Sequence, residues 1–286
     1  LRNALGAKFA TVAKFAPSGN CNFTKEGNKM GLTIINLLAG IAMMAVNGLA
    51  MFGKIGGVTP QGVSERYPNV LTPAGWTFSI WSVIYTLVLI FLIGSLISSD
   101  VRGVAERIGN WFWISCLFNI GWILTWHFGL IWASMIMMLG LLTSLVMIMG
   151  RAGGITLFTA GFSLYTGWIT VATLANLMVM LVSFGADGFS KTMQSIAISM
   201  LIIAALVFAS VLLTKKDWVY GAAGVIALAG IGYRQLAPSM LAGKYPLIAA
   251  VTIGAFLVTL GCTVYILFVA RSTPGKNSEF CEMHSE

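Results

Sequence analysis

The sequence predicts an all-α fold, a polytopic membrane helical bundle, on three observations. Of its 286 residues 58% are hydrophobic and only 9% charged, where a soluble domain carries about 25% charged residues. The mean hydropathy is +0.88. The apolar residues also fall in long unbroken runs, close to the ~20 residues a helix needs to cross a bilayer core. The short alternating segments of a membrane β-barrel are absent.

Eight spans follow from these runs: 30–52, 76–98, 109–128, 131–149, 155–183, 193–213, 218–233 and 247–269. The seventh is the shortest, bounded by Asp217 and Arg234, and suits a short, tilted or re-entrant segment. Four regions result: a basic N-terminal tail (1–29), a five-helix bundle (30–184), a three-span segment (185–270) and a polar C-terminal tail (271–286). The first 25 residues hold Arg2, Lys8, Lys14 and Lys25 without an acid. They resemble the remnant of an organelle transit peptide, and a plain basic tail accounts for them equally. Polar tails that are ordered imply partner chains around them, which points to other membrane-protein subunits.

The net charge of +8 sits between and beyond the spans. It therefore reads as an orientation signal and as contact with anionic membrane lipids, and not as a nucleic-acid surface. With eight crossings, 12 of the 17 basic residues lie on the side of the N-terminus. Both termini are then expected on the cytoplasmic, stromal or matrix side, in an integral membrane protein of organellar type such as the plastid thylakoid or the mitochondrial inner membrane. Cys21, Cys116, Cys262 and Cys281 form no Cys-x-x-Cys pair and offer no zinc or c-type haem signature.

Three spans carry polar and aromatic residues at helical spacing. Phe78, Trp81 and Tyr85 share one face of the second span. Trp111, Ser115, Asn119, Trp122 and Trp126 share one face of the third, and Tyr165, Trp168, Ala172 and Asn176 one face of the fifth. A carboxamide has no hydrogen-bond partner in hydrocarbon, so these faces must look inward. Flat π surfaces with a few polar groups suit a planar, largely apolar ligand. They suit plain helix packing as well, since an intramembrane asparagine often bonds across a helix pair. The glycine- and proline-rich stretch 53–75 can continue neither flanking helix; it is either a lid over such a space or a connector.

The same residues resemble the tryptophan-rich sensory proteins, the TspO/MBR or translocator family. Pro73-Ala-Gly-Trp76-Thr-Phe78 with Trp81 and Tyr85 is similar to the family's Pro-x-Gly-Trp-x-Phe followed by Trp and Tyr. Asn119-Ile-Gly-Trp122 resembles its Asn-x-x-Trp, and Tyr165, Trp168, Ala172 and Asn176 fit its Tyr-x-x-Trp-x-x-x-Ala-x-x-x-Asn. The resemblance covers about residues 30–184 and implies a five-helix core capped by the first loop. It also implies a pocket for tetrapyrroles, sterols or similar molecules, to which Trp76, Trp122, Tyr165, Trp168, Ala172 and Asn176 contribute. Ala172 leaves room there. The chain departs from the pattern at Ser79-Ile80, which replace a Gly-Pro, and at Ile123-Leu124 and Leu164, where prolines are usual. A pocket of different shape follows. The spans beyond residue 193 have no counterpart in short members.

The spans hold no Asp, Glu, Lys or Arg, which argues against an ion-coupled transporter. No nucleophile–base pair, phosphate loop or metal cluster is legible, so the chain reads as a binder and not an enzyme. His127, at the end of the third span, is a candidate axial ligand for haem or chlorophyll; a headgroup-boundary position is the simpler alternative. The expected function is a sensor or carrier for a planar hydrophobic ligand such as a porphyrin, with bound lipid. The alternative is a non-catalytic accessory subunit of a photosystem or respiratory assembly, contacting pigments or lipids.

Overall fold

The computed structural model describes residues 20–272, with side chains from 30 to 269. Among them it contains helices and no strand. The helices are α1 (Asn20–Met51), α2 (Pro60–Glu65), a 3-10 turn (Gly75–Ser79), α3 (Ile80–Ile97), α4 (Ser99–Ile108), α5 (Trp111–His127), α6 (Ile131–Arg151), α7 (Ala160–Ser183), α8 (Lys191–Lys215), α9 (Trp218–Leu236) and α10 (Pro246–Ser272). The tails on which the expectation of ordered termini rests lie outside the described residues.

Six segments are long and apolar enough to cross a bilayer: Met30–Met51, Gly75–Ile97, α6, α7, α8 and Pro246–Val269. Helices α4 and α5 qualify only together, as a pair bent by 67°. The span pattern leaves α4 as a connector, because Asp100, Arg102, Glu106 and Arg107 make it polar. Its alternation is amphipathic instead: Val101, Ala105 and Ile108 are buried, while Ser98 caps its first turn by accepting from the Val101 N–H.

Helix α9 is long enough but less apolar than the six, so on composition alone the expected seventh span does not qualify. Its contacts nevertheless reach both ends of the bundle. Asp217, just before α9, accepts from the Val219 and Tyr220 N–H groups at 3.1 Å each and from the Ser163 hydroxyl at 2.5 Å. Ser163 lies at the start of α7. At the other end the Gly230 carbonyl accepts from the Ala74 N–H at 3.0 Å, and the Gln235 amide donates to the Val70 carbonyl at 2.5 Å. Helix α9 therefore runs from the start of α7 to the first loop.

Small residues allow this. A Cβ on Gly167 of α7 would collide with the Tyr220 carbonyl oxygen and lie 2.8 Å from Ala223. Gly224 accommodates the Phe208 ring, and Gly230 accommodates Thr77. Without a hydrophobic force between helices in lipid, such close approach gains van der Waals contact and permits short interhelical hydrogen bonds. Apolar side chains cover the periphery: Ile34, Ile35, Leu38 and Ile41 on α1, Ile202, Ile203 and Leu206 on α8, and Leu257 and Val258 on α10 are all exposed, as a lipid-facing surface requires.

Candidate ligand site: an aromatic cavity beneath the first loop

At the first-loop end, α3, α5, α6 and α7 enclose a cavity of about 50 Å³. Trp81 is its centre. The indole stacks on Trp122 at 5.9 Å and on Tyr85 at 5.4 Å, and it meets Trp168 edge-on at 6.2 Å. Trp122 leans on Trp126 at 5.9 Å, so Tyr85, Trp81, Trp122 and Trp126 form a column from α3 into α5. Phe78 closes one side, edge-on to Trp168 at 6.2 Å. Offset and edge-to-face pairs of this kind add about 0.5–1.5 kcal/mol each beyond the area they bury.

The expected residues divide into three groups. Phe78, Trp81, Trp122, Trp168, Ala172 and Asn176 line the cavity. Tyr85, Asn119 and Tyr165 do not line it. Asn119 accepts from the Asn47 amide and donates to the Tyr165 hydroxyl, at 2.5 Å each, and Asn47 donates also to the Met43 carbonyl at 2.8 Å. This chain joins α1, α5 and α7. Asn119 and Tyr165 thus link helices and are not among the cavity-lining residues; Tyr165 packs edge-on to Trp81 at 5.6 Å.

Trp76 forms the third group. It is 50% exposed and packs edge-on to Tyr233 of α9 at 6.5 Å. The expectation that it lines the pocket assumes an α-helix from residue 76. The 3-10 turn, with about three residues per turn, changes the phase and leaves Trp76 at the surface. With Tyr233 it has the position of an interfacial aromatic.

His127 is likewise absent from the lining. Its Nδ1 lies 2.7 Å from the Ile123 carbonyl, to which the N–H donates, and Nε2 is buried without a partner among the described residues. The loop residue Gly56 packs against it. An axial ligand must present its free nitrogen to the space that holds the macrocycle, and His127 is not among the residues that line the aromatic cavity. Among the described residues no group of three or more His, Cys, Asp or Glu could hold a metal ion.

The sequence stripes miss Ser64, Pro73, Met138, Val171, Ala175 and Val179 as lining residues, and they mark Trp126 only as part of a stripe. Two polar contacts organise this rim. The Trp122 indole N–H donates to Asn176 Oδ1 at 3.1 Å, beside Ser134 at 3.2 Å. The Trp126 N–H donates to the Pro60 carbonyl at 3.0 Å, which ties the column to α2 in the first loop. Helix α2 begins with Thr59 accepting from the Gly62 N–H and Pro60 in the first turn, a local start signal. Asn69 then folds the loop back by accepting from the Leu71 and Thr72 N–H groups. Among the described residues the buried Trp168 N–H has no partner.

An aromatic interior under a structured first loop accords with the family comparison: residues 33–267 match the family described as TSPO-like protein. The chain belongs to this family. No curated protein and no solved structure matches it. The matched range includes α8, α9 and nearly all of α10, so the TSPO-like match is not confined to the α1–α7 portion that carries the three motifs. It identifies a membrane protein with an aromatic-rich interior, whose helices meet lipids or hydrophobic molecules.

Proposed function

We propose that this TSPO-like protein binds a flat, mostly apolar small molecule in the cavity beneath the first loop, as a sensor or carrier. The observation that carries this reading is the cavity wall itself: Trp81, Trp122, Trp126 and Trp168 converge on one space that Ala172 and Ala175 leave unfilled. A core with only a packing role gains by filling such a space. The polar groups present are an indole N–H, a carboxamide and the Ser64 hydroxyl; they can orient a ligand, and no base in the lining stands to activate the hydroxyl as a nucleophile.

The closed volume of about 50 Å³ is far below the roughly 300–1,000 Å³ of pockets that hold drug-sized ligands. A tetrapyrrole or sterol therefore enters only as the first loop and the aromatic column move apart. Porphyrin and haem are the macrocycles to try first, held by the indole faces and without an axial histidine. Nothing among the described residues favours the reading as an accessory subunit of a larger assembly.

The test is titration of the purified protein with protoporphyrin or with a fluorescent sterol, followed by ligand absorbance or emission together with tryptophan quenching. Saturable binding at micromolar ligand is expected. Trp168→Ala removes a wall and Ala172→Phe fills the space, and each is expected to weaken binding at least tenfold. Wild-type binding by both variants would sink the assigned site.

A further inference from the structure

A second cavity, of about 400 Å³, opens at the opposite end of the bundle. It lies where the end of α6, the start of α7, the end of α8 and the start of α9 meet. One wall is apolar, with Val146, Met149, Ile155 and Phe162; of these Val146 and Ile155 are exposed toward the periphery. The other wall is polar and holds Lys215, Asp217, Thr159 and Ser163.

The charges in this wall are unequal in what they still offer. Asp217 is 6% exposed and already accepts from the Ser163 hydroxyl and from two backbone amides. Lys215 is exposed and forms no ion pair among the described residues. Along the α6–α7 loop, the N–H groups of Gly153, Gly154 and Ile155 make no hydrogen bond among the described residues. Ala152 is right-handed, and Gly153 and Gly154 follow with φ +86° and +105°, a positive-φ backbone that takes these amides out of the helical ladder. Arg107 lies beside it: its guanidinium donates to the Ala152 carbonyl at 3.2 Å and would sit 3.2 Å from a Cβ on Gly153.

We propose that this cavity binds the phosphate of an anionic phospholipid. Lys215 and the Gly153–Ile155 amides receive the phosphate, and Arg107 adds positive potential at the rim. The acyl chain leaves along Val146, Met149 and Ile155 toward the bilayer. A basic pocket between membrane helices at headgroup level is suited to this chemistry, and an apolar flank open to the periphery is what separates a lipid phosphate from a free one. The Asp217 carboxylate is engaged by three neutral donors, and Lys215 with Arg107 sets two cations against it.

Native mass spectrometry of the full chain, released from nanodiscs of equal parts phosphatidylglycerol and phosphatidylcholine, tests the assignment. Preferential retention of phosphatidylglycerol is expected. Lys215→Gln should weaken retention about fivefold, the share one lysine contributes at an anionic surface; because Lys215 is exposed, the fold tolerates the change. Lys244→Gln, at the first-loop end, should leave retention unchanged. Equal retention of the two lipids overturns the proposal, as do equal losses in the two variants, which would reveal only general surface charge. Inorganic phosphate competing as well as phosphatidylglycerol also overturns it, because the site would then be one for a free anion.

Discussion

The two cavities are built by opposite means. Beneath the first loop, rings fill the space: Tyr85, Trp81, Trp122 and Trp126 stack until about 50 Å³ remains. At the far end, helix termini and a glycine loop leave about 400 Å³ unfilled, bordered by a lysine and by loop residues whose amides make no hydrogen bond among the described residues. Side chains that can pack on each other close a cavity, so any occupant must displace them. Helix ends, with backbone groups that have no intrahelical partner, leave a space open. A ligand at the first site therefore works against aromatic contacts and should couple to loop movement. A ligand at the second fills what is already there and should bind without rearrangement.

Both cavities are lined by α7, and α9 packs on α7 and holds the first loop over one of them, so separating these helices is the most severe way to break the comparison. Gly167→Leu would drive a side chain into the Tyr220 backbone and Ala223. Overpacking of this kind costs about 3 kcal/mol. The thermal midpoint, measured by tryptophan fluorescence in detergent, should fall further than in Asn119→Leu or Gln235→Leu. Loss of porphyrin binding and of lipid retention should accompany it. A variant that loses only one of the two would show that the cavities do not share this support.

Asn119→Leu sharpens the comparison at the aromatic end. It cuts the link from Asn47 of α1 to Tyr165 of α7 and leaves polar groups in a medium without water. Interhelical hydrogen bonds in membranes contribute about 0.6–2 kcal/mol, so a destabilisation of about 1–2 kcal/mol is expected. Porphyrin affinity should change less than twofold, because Asn119 does not line the cavity. A loss comparable to that of Trp168→Ala would return Asn119 to the ligand site.

Asn119 also shows where the sequence could be read and where it could not. The helices were legible because lipid tolerates so few residue types. The Trp168–Ala172–Asn176 face was legible because its polar and aromatic members leave the fifth span only one orientation; it does line the cavity. Asn119 has the same signature but a different role, set by Asn47, an asparagine with no aromatic stripe to mark it. Trp76 was misplaced by a single 3-10 turn, a backbone choice that side-chain spacing does not encode. The charged stretch of α4 concealed a helix because its apolar face is only three residues long. The glycines of α9 were visible as composition, but their meaning depends on Phe208, Thr77 and the α7 backbone, which only the fold brings near.

The smallest expected effect concerns the closure of the aromatic cavity. Gln235 is fully buried, and its amide donates to the Val70 carbonyl, 165 residues away in sequence, at 2.5 Å. With the Ala74–Gly230 hydrogen bond this fastens the first loop to α9. Gln235→Leu keeps the volume and removes one donor, at a cost of about 1 kcal/mol. Because Oε1 of Gln235 has no partner among the described residues, part of that cost is offset by removing a buried polar atom. The global midpoint should therefore move little, while the loop opens more often. Trypsin should cut after the exposed Arg66 several-fold faster, and porphyrin should associate faster by a similar factor, since both need the same opening. Faster cleavage with an unchanged association rate would mean that ligand reaches the indoles between the helices and not past the loop.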